Sequence, residues 1–164
     1  MKTLLLIRHA KSSWGDPSIS DFDRPLNERG KHDAPLIAQR IMDKGTHIDA
    51  FVSSPAKRAK KTAGLMMKKF DEEEKKLIQL SALYEAPESN FYDVIETLDD
   101  KFDSVALVAH NPGITNFINT LNCHPIDNMP TCAVYAIRIN CDKWIDFKKS
   151  KKQFLFFDFP KNEI

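Results

Sequence analysis

The 164 residues carry 24 Lys and Arg against 23 Asp and Glu, a formal net charge of +1, with 42% hydrophobic and 29% charged residues. That length suits one domain, residues 1–164, able to bury roughly 70% of its unfolded surface. The balance excludes a disordered chain and a dedicated nucleic-acid binder, which carries a clear basic excess, so any positive charge that serves function must be concentrated locally.

The elements alternate. Thr3 to Ile7 is a short apolar run, as in a strand buried on both faces. The run stops at Arg8, short of the roughly 7–15 residues of a signal-peptide core. No run approaches the about 20 apolar residues of a membrane span, so the expected setting is cytoplasmic, with no membrane partner. His9 to Leu26 is loop-like, and Asn27 caps a helix whose Ala34, Ile37, Ala38, Ile41 and Met42 recur at helical spacing up to Gly45. Pro35 is awkward unless the regular helix begins close to it. Ile48 to Val52 is a second strand. Ser54-Pro55 reads as N-cap and first helical position of a helix ending near Phe70. Leu77 to Leu83 reads as a strand, and Phe91, Val94, Ile95 and Leu98 mark an amphipathic helix. Asp103 to Ala109 is a buried strand, and Pro112-Gly113 opens a helix to about Leu121. Cys132 to Ile139 and Phe154 to Phe159 read as strands, with Asp142-Lys143 near the turn. The expectation is an α/β three-layer sandwich: a mostly parallel sheet with helices on both faces.

Ligands of such sheets sit beyond the carboxyl ends of the strands. Three strand ends here bring chemistry: Arg8, His9, Lys11 and Ser12 from the first, Arg58 in the first turn of the following helix from the second, and His110 from the third. Two arginines, two histidines and two helix N-termini facing one crevice suit a compact anion such as phosphate. Neutral imidazole is also a nucleophile near pH 7. In phosphoryl transfer, positioning and positive charge supply most of the catalysis.

Arg8-His9-Ala10-Lys11-Ser12 resembles the Arg-His-Gly motif of the histidine phosphatase, or phosphoglycerate-mutase-like, superfamily. Asp21 to Gly30 (Asp-Phe-Asp-Arg-Pro-Leu-Asn-Glu-Arg-Gly), Ser53 to Ala59 with Thr62-Ala63, and Val108 to Gly113 resemble further motifs of its SixA-type phosphohistidine phosphatases, in the same order. The resemblance covers about residues 1–140. It implies a phosphoglycerate-mutase-like fold and His9 as a nucleophile that becomes a covalent phosphohistidine. Arg8, Arg58 and His110 would hold the phosphoryl oxygens, Ser12 would be a further phosphate-binding residue and would support the loop, and neither cofactor nor metal is implied. Ala10 stands in place of the motif's glycine. Gly15 stands where many members carry a phosphate-binding asparagine, leaving Lys11 or a backbone N–H to compensate. For the proton donor, the best-placed candidate along the chain is Glu85, which also reads as a plain surface carboxylate. An imidazole leaving group needs less proton assistance than an alkoxide.

Plainer readings stand beside these. Arg24 reads either as a brace for the active-site loop or as a simple salt bridge, and Trp14 either lines the pocket mouth or anchors the loop. Lys57, Lys60 and Lys61 read as surface charge, able to steer phosphorylated partners. His32, His47 and His124 have no supporting pattern. Cys123, Cys132 and Cys141 read as reduced thiols, because their spacing lacks the short pairs of a zinc site. Three functions follow. The first is a phosphohistidine phosphatase acting on a phosphorylated protein, such as a phosphotransfer domain, favoured because a chain of this length leaves little room for a lid. The second is a phosphatase of small phosphomonoesters. The third is a phosphate-binding module without turnover.

Overall fold

The computed structural model describes residues 1–162. Its centre is a six-stranded sheet: β1 (Lys2–Arg8), β2 (Ala50–Ser53), β3 (Ile78–Gln79), β4 (Ser104–Ala109), β5 (Val134–Ile139) and β6 (Lys152–Asp158), in the order β3-β2-β4-β1-β5-β6. The pairs from β3 to β1 are parallel, and β5 and β6 add an antiparallel edge. Four α-helices connect the strands: α1 (Glu28–Asp43), α2 (Lys57–Lys69), α3 (Glu88–Glu96) and α4 (Gly113–Thr120).

Alternation along the strands explains the layers. Leu5 and Ile7 of β1, with Ala106 and Val108 of β4, face one core shared with Ala34, Ile37, Ala38 and Ile41 of α1 and Ala59, Ala63, Met66 and Met67 of α2. Leu4, Leu6, Val105 and Leu107 face the other, shared with Phe91, Val94 and Ile95 of α3 and Ile114, Phe117 and Ile118 of α4. A strand covered on both faces needs an unbroken apolar run, and β1 and β4 have one. The expected three-layer architecture is therefore present. No helix among the described residues is long and apolar enough to cross a membrane.

Several boundaries differ from expectation. Only Ile78–Gln79 of the stretch 77–83 pairs as a strand; Ser81–Leu83 forms a 3-10 turn that buries Leu83 and delivers Tyr84 and Glu85 beyond the sheet. α2 begins at Lys57 without a side-chain cap, because Ser54 Oγ instead accepts the Ala56 N–H (3.2 Å) ahead of the helix. Asn27 does cap α1, accepting the Gly30 N–H at 2.9 Å. The helix runs straight through Pro35, so the cap and the buried stripe outweigh the one backbone bond that proline removes.

Sheet order and register bring the three expected strand ends together. β2, β4 and β1 are neighbours, with Arg8 level with Ala109 and Ser53 level with Val108. His9, His110 and Ser54 follow directly on those ends.

Candidate active site

A cavity of about 360 Å³ opens beyond these ends. Arg8, His9, Lys11, Ser12, Arg24, Arg58, Tyr84, Glu85 and His110 line it, together with Trp14, Asp21, Asn111 and Thr131. Every candidate residue from the sequence is thus on its wall. Lys11, Trp14, Asp21 and Glu85 are exposed, so the pocket opens to solvent.

His9 is 5% exposed. Its Nδ1 lies 2.8 Å from the Ala10 carbonyl oxygen. A carbonyl can only accept, so Nδ1 carries the proton and Nε2 presents its lone pair to the pocket. Arg58 Nε–H points to that Nε2 at 3.4 Å. Burial pushes the His9 pKa down to about 3, against a smaller opposing effect of the Ala10 hydrogen bond, and His110, Arg58 and Arg8 add repulsion. His110, its ring centroid 5.1 Å away, is lowered to about 4 by burial first and by Arg58 second. Both imidazoles are therefore neutral at pH 7.

Local structure fixes these groups. Thr62 of α2 accepts the Ala10 N–H at 2.9 Å and donates to the Arg58 carbonyl at 2.8 Å, tying the His9 loop to α2. His110 Nε2 and Ser54 Oγ share a 2.8 Å hydrogen bond. Arg8 Nη1 donates to the Met129 carbonyl at 2.9 Å, and burial, followed by Arg58, lowers its pKa. The buried polar atoms without a partner among the described residues include Arg8 Nε, Arg24 Nε and His110 Nδ1, all on pocket residues. Ser12 is buried, bridges to Leu26 and accepts from Arg24 Nη1, which fits a loop-supporting place. Arg24 also reaches Asp21 (3.3 Å) and stacks on Trp14 with its Cζ 3.6 Å from the ring centroid, so it does brace this loop. Trp14, 77% exposed, stands at the mouth.

Some expectations are corrected. The two helix N-termini do not both face the pocket. At α2 the Lys57 N–H is donated to the Phe22 carbonyl, and the first turn of α4 lines a neighbouring groove with Glu85 and Glu88. Gly15 is not among the lining residues, whereas Lys11 is. Glu85 is on the wall but exposed, its backbone left-handed at φ 53°. Cys132 is buried, and burial raises its thiol pKa.

The sequence reading gives Asp21, Tyr84 and Ser54 no role in the site, although Asp21 opens one of the motifs and Ser54 lies in another. Asp21 accepts from Arg58 Nη2 at 3.1 Å and from the Tyr84 hydroxyl at 2.6 Å. These bonds hold its carboxyl down to about 2, the Tyr84 hydrogen bond being the larger cause, and the same bond lifts Tyr84 to about 12. The available signal was weak: an acidic residue among the cations of a loop preceding a helix.

Comparison with known proteins bears on the fold and the family. The chain superimposes on SixA from Agrobacterium tumefaciens with a TM-score of 0.79 at 24% identity, covering 97% of this chain and 99% of that one. It superimposes on the protein histidine phosphatase SixA complexed with tungstate with a TM-score of 0.80 at 18% identity, covering 96% and 97%. At these identities the likeness shows the fold. In sequence it is 42% identical over 65 residues to phosphoserine phosphatase 1 of Hydrogenobacter thermophilus, covering 38% of this chain and 30% of that protein. The matched stretch spans less than half the length of the curated relatives. The sequence profile of the histidine phosphatase superfamily (branch 1) matches residues 4–90, more than half of the chain. The chain belongs to the histidine phosphatase superfamily, branch 1.

Proposed function

We propose that residues 1–164 act as one metal-independent phosphohistidine phosphatase that removes phosphate from a protein histidine. The observation that carries this is the neutral His9, its Nε2 lone pair facing a pocket with Arg58 Nε–H aimed at the same atom. In the first step Nε2 forms a bond to phosphorus as the bond to the leaving imidazole nitrogen breaks, and that nitrogen is protonated from solvent. In the second, water attacks the phosphohistidine, releasing phosphate and restoring His9. Arg8, Arg58 and His110 hold the phosphoryl oxygens, and charge spread over those oxygens favours fixed cationic donors. The buried Arg8 Nε–H and Arg24 Nε–H, without acceptors among the described residues, support an anion in this pocket, since buried donors without acceptors are costly.

The exposed residues at the mouth support a protein-borne phosphate. A second reading, hydrolysis of small phosphomonoesters with Glu85 protonating the leaving oxygen, is favoured by the place of Glu85 on the wall. Incubation with a phosphohistidine peptide and with p-nitrophenyl phosphate, in chelator, separates them. The first reading predicts preference for the peptide, loss on His9→Ala and no effect of Glu85→Gln. Preference for the ester, with loss on Glu85→Gln, supports the second. No release from either refutes both and leaves a phosphate-binding module.

A further inference from the structure

Arg58 is gripped from the side opposite His9. Its Nη1 donates to the Asp21 backbone carbonyl at 2.6 Å and its Nη2 to Asp21 Oδ2 at 3.1 Å. Its Nε donates toward His9 Nε2 at 3.4 Å. One loop residue therefore takes a donor from each terminal nitrogen of the guanidinium and leaves the Nε–H to the reacting atom. We propose that Asp21 is the positioning residue for Arg58: its carboxylate and carbonyl turn the guanidinium so that Nε–H faces the point where the phosphoryl group meets His9. This inference rests on the phosphatase reading above.

The grip is itself anchored. Tyr84 donates to Asp21 Oδ2 at 2.6 Å and Arg24 Nη2 to Oδ1 at 3.3 Å. The next residue, Phe22, accepts the Lys57 N–H at 2.9 Å, fastening the same segment to the start of α2. Arginine has five N–H donors on a plane with a long flexible stem, so an acceptor at its far edge removes rotamers that would point Nε elsewhere. Asp21, held ionised, can only accept and is no candidate for the proton donor. A carboxylate beside a phosphate site repels the bound dianion, so it weakens ground-state binding while it fixes a transition-state contact. Only interactions stronger in the transition state raise kcat, which makes the two effects separable.

The test uses two variants and two readouts. Asp21→Asn keeps an oxygen for Arg58 and removes the charge. By calorimetry with inorganic phosphate at pH 7, this variant binds about three- to tenfold more tightly than wild type. On a phosphohistidine peptide, Asp21→Ala lowers kcat by about 10–100-fold with KM unchanged or lower, and Asp21→Asn recovers part of the loss. A merely structural Asp21 would lower the thermal midpoint and the active fraction while leaving kcat per folded molecule unchanged. Phosphate binding by Asp21→Asn equal to or weaker than wild type overturns the assignment, as does a kcat of Asp21→Ala within about twofold of wild type. Phosphate binding is read without turnover. A wild-type protein that hydrolyses nothing therefore refutes the phosphatase reading, while the binding arm still reads whether the Asp21 carboxylate faces the phosphate site.

Discussion

His9 meets two opposed demands: an attacking nitrogen must be unprotonated, yet a phosphate site must be positive. Burial resolves the conflict by lowering the pKa of His9 to about 3 and that of His110 to about 4, while Arg8 and Arg58 supply the positive charge. Two outcomes follow at this scale. The enzyme-derived acid limb of kcat/KM falls below about pH 5, well under the ordinary histidine value near 6.5; a limb at 6.5 would contradict burial as the cause. Stability follows the same sign. Both folded pKa values are depressed, so the unfolded chain takes up protons first, and stability is full above about pH 6.5 and is lost as pH falls toward 4. Denaturant midpoints at pH 7 and 5 measure this, and His9→Gln flattens the slope. Arg8, His9, Arg58 and His110 were legible in the sequence because each stands at a strand end or in the first turn after one. Asp21 was not, because its bonds to Arg58 and Tyr84 span 37 and 63 residues and depend on how the loop closes.

Among the elements, the closures around the His9 loop matter most. α1 approaches this loop so closely that a Cβ on Gly30 would stand 2.2 Å from the Lys11 carbonyl oxygen. Gly30→Ala therefore forces the loop and the cap apart. It lowers stability by about 1–3 kcal/mol, read as a thermal midpoint several degrees lower, with a fall in kcat because Lys11 and Ser12 move. Thr62→Val leaves the buried Ala10 N–H without an acceptor, at a cost of about 1–3 kcal/mol, and loosens His9 relative to Arg58. Its kcat falls, and hydrogen exchange at Ala10 speeds up. A Thr62→Val protein with wild-type stability and kcat would show that the tie carries nothing. The apolar runs of β1 and β4 were readable because both faces are covered. The stretch 77–83 misled because Leu77, Ile78, Leu80 and Leu83 suit a strand, whereas the chain leaves the sheet edge after Gln79 and turns. Ser54 ahead of α2 offered a capping pattern, but its side chain is used by the Ala56 N–H and by His110 instead.

Over the whole molecule the charges nearly cancel, at a net +1, yet Arg8, Lys11, Arg24 and Arg58 meet in one pocket against the carboxylates of Asp21 and Glu85. A focused field of this kind raises the encounter rate with anionic partners and is screened by salt. KM for a phosphohistidine peptide accordingly rises several-fold between about 0.05 and 0.5 M salt; a salt-independent KM would remove steering from the account. The strand order, placing the ends of β1, β2 and β4 side by side, is what turns three separate motifs into this one site. The central claim is that phosphate passes through His9 Nε2. The direct measurement is to mix the protein with a phosphohistidine peptide, quench in alkali, where phosphohistidine survives, and map the phosphate by mass spectrometry. The account predicts an acid-labile, base-stable phosphate on His9 that is absent from His9→Ala; phosphate on any other residue, or turnover by His9→Ala at the wild-type rate, would contradict it.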